Sequence, residues 1–332
     1  MAAAIEEYRD NGQPIELADL MSGGRPLVIR GLCREWPVVS WARQSDTAFA
    51  QGLAALDNGS EVDALLLPPG EDGVIGYNAA FDGFNYEHHR VSVTQVLQRL
   101  ATYSRQQDPP GLALQSALIS ACLPGFLDAH ALPFLEPQIQ PRLWIGSRVT
   151  TPAHFDEYAN IACVVCGSRR FTLFPTEQVR NLYVGPLDFA PTGAAISMAR
   201  LDQLDDPRFP RLHEAMAHAQ VAELQPGDAI YIPPLWWHHV VSLQRINALV
   251  NYWWIPGSGR ATPTALDGLL HGILSFRSLD PADRAAWRGL LEHYVFGDED
   301  PAAHIPEHAR GVLGPLTPEL VARLKGMIRR YL

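Results

Sequence analysis

A mostly β protein with a helical C-terminal region is what this 332-residue chain predicts, and three observations carry the expectation. From about residue 143 to 255, short apolar or alternating segments recur between Gly, Pro and Asp punctuation, as in LWIGSRV, IACVVC, RFTLFP, AIYIP, HHVVSL and INALVNYWW. Such spacing argues for antiparallel strands closing into a barrel or sandwich. After Pro256 the apolar positions change to helical spacing. The whole is 47% hydrophobic and 19% charged, a globular composition with enough apolar surface for a large core.

The N-terminal stretch MAAAIEEYRDNGQPIE carries acids where a signal peptide would carry a basic segment and an apolar core, and no stretch approaches eighteen apolar residues. A cytoplasmic protein is expected. RPLVIRGL (25–32) reads as a short strand, and REWPVVSW (34–41) as a Pro-containing turn between aromatic anchors. In SVTQVLQRL (92–100), Ser92 and Gln95 have capping-box spacing and Val96, Leu97 and Leu100 form an apolar stripe, so a helix is expected. Residues 106–142 are proline-rich and read as loops and short elements. The segment 185–220 is a long excursion containing DDPRFPRL, and long loops in compact domains are often functional.

Three C-terminal segments open with Thr or Asp followed by Pro, the N-cap and N1 preference: Thr262-Pro263, Asp280-Pro281 and Thr317-Pro318. Leu266, Leu269, Leu270, Ile273 and Leu274 share one helical face; Trp287, Leu290, Leu291, Tyr294 and Val295 share another; Leu320, Val321, Leu324 and Ile328 a third. Residues 257–332 are therefore expected to form a helical appendage to a domain spanning 1–256. It either caps the barrel or joins two copies, and a homodimer is the expectation.

Four cysteines suit a reducing compartment. Cys163-x-x-Cys166 lies in an apolar, β-branched stretch where residues three apart face opposite sides, so it reads as two buried thiols rather than a redox or zinc pair. A net charge of −10 opposes broad attraction to nucleic acid or an anionic membrane. A protein or peptide substrate is therefore expected over RNA or a small molecule.

The chemistry concentrates in TPAHFDEYAN (151–160). Charged groups beside the apolar run IACVVC are costly to bury unless something pairs with them. In a strand, His154 and Asp156 project to the same face and present an imidazole beside a carboxylate. The best third ligand comes from PGDAIYIPPLWWHHVV, where a strand begins near Trp237 and His238 and His239 face opposite sides. Two His and one carboxylate from neighbouring strands make a facial triad, the arrangement of non-haem Fe(II) oxygenases, with positions left open for a co-substrate and O2.

TPAHFDEYAN, GSRRFTLFP, LQPGDAIYIPPLWWHHVVSL and NYWW resemble the successive motifs of the JmjC/cupin-like oxygenase family. They are most similar to the branch of the asparaginyl hydroxylase that inhibits hypoxia-inducible factor, which RPLVIRGLCREWP also resembles. The likeness covers roughly residues 25–255. It implies a double-stranded β-helix (jelly roll, JmjC type) with flanking N-terminal elements, Fe(II) and 2-oxoglutarate as cofactor and co-substrate, O2 as oxidant, and hydroxylation of a protein side chain ahead of demethylation. Carried over by position, it makes His154, Asp156 and His238 the metal ligands and turns His239 away. It sets Thr151, Asn160, Asn251 and Trp253 around 2-oxoglutarate and Gln115 near the substrate; alternation independently gives Asn247, Leu249, Asn251 and Trp253 one strand face.

Two positions depart from the family pattern. Arg169 stands where the family has a Lys that grips the distal carboxylate of 2-oxoglutarate; Arg can do so bidentately, and its alternation with Phe171 and Leu173 points it at an apolar interior that wants an anion. Ala113 stands where the branch has a Tyr on the same carboxylate. Glu157, Trp236 and the 185–220 excursion are candidates for the substrate entrance. Two other readings fit the same residues: a metal-binding cupin that is not an oxygenase, such as an isomerase or sensor, and a catalytically silent interaction module.

Overall fold

The alternating segments of the middle of the chain form the strands of two facing sheets in the computed structural model, which describes residues 2–8, 15–191, 193–256 and 264–330. Ahead of them come two-residue strands β1 (Ala3–Ala4) and β2 (Glu6–Glu7), helix α1 (Leu17–Met21), strand β3 (Leu27–Ile29), helices α2 (Pro37–Gln44) and α3 (Asp46–Leu56), strands β4 (Val62–Leu67) and β5 (Glu87–Val91), helix α4 (Val93–Tyr103), strand β6 (Gly111–Leu118) and helix α5 (Ile119–Cys122). The barrel strands are β7 (Pro141–Gly146), β8 (Thr150–His154), β9 (Ala159–Cys166), β10 (Arg169–Phe174), β11 (Gln220–Leu224), β12 (Ala229–Ile232), β13 (Trp237–Ser242) and β14 (Asn247–Trp254). A short helix, α6 (Leu212–Ala217), lies in the excursion between β10 and β11.

The smaller sheet runs β1-β11-β10-β13-β8 and the larger β2-β3-β12-β9-β14-β7-β6-β4-β5. The last eight strands thus divide four and four, the double-stranded β-helix that the motifs imply. Strand β9 is buried along its whole length, and its alternation serves two cores. Ile161, Cys163 and Val165 join a cluster with Val38, Phe49, Val96 and Phe126 on the helix-covered face of the larger sheet. Ala162 and Val164 meet Phe171, Leu173, Ile230 and Leu249 between the sheets. The larger of these, Phe171, Leu173, Ile230 and Leu249, each contribute about 1.5–3 kcal/mol on burial.

Several expectations meet a different structure. REWPVVSW is not a turn: Pro37 is the first residue of α2, with Trp36 at the N-cap, because proline's fixed φ suits a helix start as well as a turn. The proline-rich stretch 106–142 contains β6, an eight-residue strand inside the larger sheet. Its register with β7 shifts between Leu114 and Ala117, and Ser116 adopts φ +49°; that bulge breaks the alternation that marks a strand. The helix expected at 92–100 spans Val93–Tyr103, with both hydrogen bonds of the Ser92/Gln95 capping box formed. Cys163 and Cys166 are free and buried. A register shift between Ala248 and Leu249 offsets their alternation, and both join the helix-side cluster. A hydrogen bond in which the Cys163 thiol donates to Cys33, then burial, pushes the Cys163 thiol well above its ordinary value.

The chain divides into two units, 1–259 and 260–332. The second holds α7 (Ala265–Phe276), α8 (Pro281–Leu291), a π-helical turn (Glu292–Phe296) and α9 (Pro318–Arg329). Asp280 and Thr317 cap α8 and α9, each with Pro at the helix start. Thr262-Pro263 lies outside the described residues; Thr264 caps α7 in a capping box with Asp267. None of these three helices buries a residue. Among the described residues no helix is long and apolar enough to cross a membrane.

One buried histidine joins α2 to the turn that follows α5. His130 is 2% exposed; its Nδ1–H donates to the Phe126 carbonyl at 2.6 Å and its Nε2 accepts from the Val38 amide at 3.0 Å. Burial lowers its pKa from 6.5, so the unfolded chain takes up the proton first. The stabilisation is complete above pH 6.5 and disappears as the pH falls through the folded-state value. The unfolding midpoint is therefore expected to drop more steeply in the wild type than in His130→Gln as the pH falls below 6.5. At neutral pH His130→Ala costs about 2–4 kcal/mol, read by denaturant titration.

Candidate metal centre

His154 ends β8 and His238 sits in the adjacent β13, directly opposite it in the strand register. Their rings lie 4.1 Å apart between centroids, tilted by 53°. Asp156 follows two residues after His154, and its Oδ2 is 3.6 Å from Nε2 of His238. One ligand atom from each of the three residues lies within 4.8 Å of the others. His154 Nδ1–H donates to the Pro152 carbonyl at 2.9 Å and His238 Nδ1–H to the Trp236 carbonyl at 3.1 Å. A carbonyl can only accept, so both rings carry the proton on Nδ1 and leave Nε2 as a lone-pair donor. The Trp253 indole N–H holds Asp156 Oδ2 at 3.1 Å. Such outer hydrogen bonds fix ligand orientation before any ion arrives. Burial first, then neighbouring His154, pull the pKa of His238 down to about 4, which keeps it neutral.

The three ligands open into an inner chamber that also contains Thr151, Asn160, Arg169, Asn251, Trp253 and Gln115. Every residue expected around 2-oxoglutarate therefore faces one space. Asn251 accepts from Trp144 Nε1 at 2.7 Å and donates to Asn160 at 3.2 Å. Arg169, 8% exposed, has a buried Nε that finds no hydrogen-bond partner among the described residues, and burial draws its pKa down to about 10. A buried cation without a partner costs several kcal/mol. The chamber thus combines a neutral-imidazole and carboxylate donor set at one end with an unsatisfied guanidinium in its wall, which fits a divalent cation together with an anionic chelator. Ala113 is buried but does not line this space.

A second, outer cavity of about 780 Å³ shares Gln115, Trp144, Asp156 and Trp253 with the inner one. Its other walls include Phe84, Tyr86, Tyr158 and Arg142. The excursion after β10 is fastened over it: Tyr77 donates to the Phe189 carbonyl at 2.6 Å, Tyr86 donates to the Pro191 carbonyl, and Phe84 stacks on Phe189 at 4.8 Å. Glu157 and Trp236 line neither chamber; the Trp236 indole donates to Gly24. His239 lines a separate cavity with Arg170 and Arg200. Arg170 pairs with Glu223 at 2.6 Å. Sequence reasoning missed Trp144 and Arg142, although alternation in RLWIG sets them opposite the buried Leu143 and Ile145.

Two neutral imidazoles and a carboxylate converging inside a double-stranded β-helix define a metal-binding protein of the cupin type. The family described as cupin-like domain matches residues 13–259, and the chain belongs to this cupin-like, JmjC family. Similar proteins include the Jumonji C domain-containing protein 5 of Drosophila melanogaster, 34% identical over 116 residues, which cover 34% of this chain and 27% of that protein. HSPB1-associated protein 1 of Homo sapiens is 34% identical over 113 residues, 33% of this chain and 22% of that protein. Lysine-specific demethylase JMJ31 of Arabidopsis thaliana is 30% identical over 259 residues, 76% of this chain and 42% of that protein. Each match spans less than half of the relative's length.

A prepared donor set gives a direct thermodynamic test. Mn(II), or Fe(II) under anaerobic conditions, is expected to raise the unfolding temperature; at about 100 times Kd the stabilisation reaches about 2.7 kcal/mol. His238→Ala or Asp156→Ala should remove the shift in a calorimetric scan.

Proposed function

We propose that the protein is an Fe(II)- and 2-oxoglutarate-dependent oxygenase that hydroxylates a side chain of a protein or peptide, with residues 1–256 as its catalytic domain. The observation that carries the reading is the pairing, in one chamber, of the His154, Asp156 and His238 donor set with Arg169, whose buried Nε has no hydrogen-bond partner among the described residues. Iron, 2-oxoglutarate and O2 together would supply oxidation of a C–H bond coupled to loss of CO2 and formation of succinate. The chain's own work is binding, orientation and exclusion of water.

His154, Asp156 and His238 would hold the metal, and Arg169 would pair with the distal carboxylate of the keto acid. Thr151, Asn160 and Asn251 offer hydrogen bonds along the chamber, and Trp253 keeps Asp156 aimed at the ion. Phe171, Leu173, Ile232 and Val240 keep the inner end dry. The outer cavity would receive the substrate, with Gln115 at the junction of the two chambers. Four free, buried cysteines support a reducing, cytoplasmic setting. The name of the Arabidopsis relative makes demethylation the alternative outcome, since oxidation of an N-methyl carbon ends in formaldehyde. Release of formaldehyde rather than retention of oxygen in the product would mark it.

The reading is tested by aerobic incubation with Fe(II), 2-oxoglutarate and candidate peptides: succinate is expected, and none from protein shown to hold iron, with or without a peptide, rules it out. Arg169→Met should weaken 2-oxoglutarate binding by about 10- to 100-fold, the worth of a charge-assisted hydrogen bond, with Arg169→Lys recovering part of it. A metal-binding cupin that is not an oxygenase predicts no 2-oxoglutarate binding in the same calorimetry.

The C-terminal unit supports a homodimer. Leu269, Leu270 and Leu274 on α7 are 49%, 42% and 67% exposed, and Trp287 and Leu290 on α8 are exposed too; apolar clusters of this kind mark association surfaces. Sedimentation is expected to give twice the 36.7 kDa chain mass, and the double change Leu270→Asp with Leu274→Asp to return the monomer.

A further inference from the structure

The outer cavity contains a cation, Arg142, that no acid among the described residues answers. Arg142 is half-buried in β7, opposite Asn251 in the strand register. Its Nη1 donates to the Ser116 carbonyl at 2.9 Å and to the Ser116 hydroxyl at 3.3 Å. Its Nε and Nη2 make no hydrogen bond, and the guanidinium forms no ion pair, among the described residues. The Nε–Nη2 edge is the fork that binds a carboxylate through two parallel N–H groups.

The surroundings make that edge an address rather than a vacant surface charge. Ser116 holds φ +49° in the bulge of β6, an unusual backbone state for a residue with a side chain. Its carbonyl fixes one arm of the guanidinium. The carboxylates of the same cavity are committed elsewhere: Asp63 to His88 Nδ1 at 2.9 Å, and Asp156 to Trp253 and the metal centre. Arg200, which lines a different cavity, is by contrast answered by both Asp72 and Asp202. The walls around Arg142 include the aromatic side chains Phe84, Tyr86, Trp144 and Tyr158, and an ion pair formed against such apolar surface is stronger than one in open water.

We propose that Arg142 is the specificity-determining residue of the outer cavity and that it selects a carboxylate on the substrate, an acidic side chain or a chain end, close to the carbon that is oxidised. The proposal rests on the reading of the outer cavity as the substrate site. One free guanidinium edge matches a monoanion. A phosphomonoester, with nearly two negative charges, would leave one of them uncompensated there.

The test uses full-length protein loaded with Mn(II) and 2-oxoglutarate under anaerobic conditions, so that binding is read without turnover. The probes are nonapeptide mixtures with degenerate flanks and a central Asp, Glu, Asn, Gln or Lys, each made with a free carboxylate or a carboxamide at the C-terminus. Affinity is read from tryptophan fluorescence, since Trp144 and Trp253 line the cavity. The wild type is expected to bind at least one carboxylate set tenfold more tightly than its amide counterpart; whether the central residue or the terminus governs the difference identifies the source of the carboxylate. Arg142→Gln should erase that preference and Arg142→Glu should invert it toward Lys. If the charge reversal does not fold, as judged by its melting curve, the Gln variant carries the test. Equal affinity of the wild type for acid and amide sets, a preference for Lys, or an acidic preference that survives in Arg142→Gln overturns the proposal. Failure of the oxygenase reading would appear separately, as absence of succinate from the iron-loaded protein.

Discussion

The pairing of β13 with β8 is the constraint on which the rest of this protein depends. His154 and His238 are remote in the chain and become neighbours because the two strands align them as direct partners. Side chains alternate along a strand, so a slip of one residue would send His238 out of the barrel and bring His239 in. Nothing local prevents that slip. What prevents it is the β10 neighbour, paired with β13 from Arg169 opposite Ser242 to Phe174 opposite Trp237, and the apolar layer of Phe171, Leu173 and Val240, from which a slip of β13 would turn Val240 toward water. Core packing therefore sets the metal ligands, and the same alternation turns Arg169 into the chamber and Arg170 out to Glu223.

Charge placement divides the site into two compartments with different demands. The inner one holds neutral imidazoles, a carboxylate and a fully enclosed guanidinium; the outer one is aromatic and carries a guanidinium held by a single neighbour. In each the arginine is the group whose electrostatics the fold leaves incomplete. Elsewhere arginines such as Arg30 and Arg200 are matched by acids from the chain itself. In the proposed reading an arriving anion would complete both, and such a difference between bound and free states is what confers selectivity on a cavity.

Much of this arrangement is readable in one dimension, for physical reasons that differ by residue. The barrel strands are visible because burial on both faces forces continuous apolar runs such as IACVVC, and because turns need Gly, Pro and Asp at their corners. His154 and Asp156 are visible because their spacing equals the strand repeat. Ser92 and Gln95, or Asp280 and Pro281, announce helix starts through local hydrogen bonding that needs no tertiary partner. Pro37 misleads, since the same ring geometry serves a turn and a first helical turn. β6 is hidden by its own bulge, and Arg142 by distance: its partner Ser116 lies 26 residues away, so no short window contains the contact that orients it. Glu157 and Trp236 drew attention through composition alone, and neither faces the cavities.

The tethering of the excursion by Tyr77 and Tyr86 has a consequence for how such a protein can change. Both hydroxyls grip main-chain carbonyls, at Phe189 and Pro191, so these two bonds are indifferent to which side chains the excursion carries, and the stack of Phe84 on Phe189 is the part that depends on one. The barrel can keep its ion-holding geometry while the segment beyond the anchored residues exchanges side chains, lengthens or shortens. New guests become accessible through drift in a ribbon whose fastening depends little on its wording.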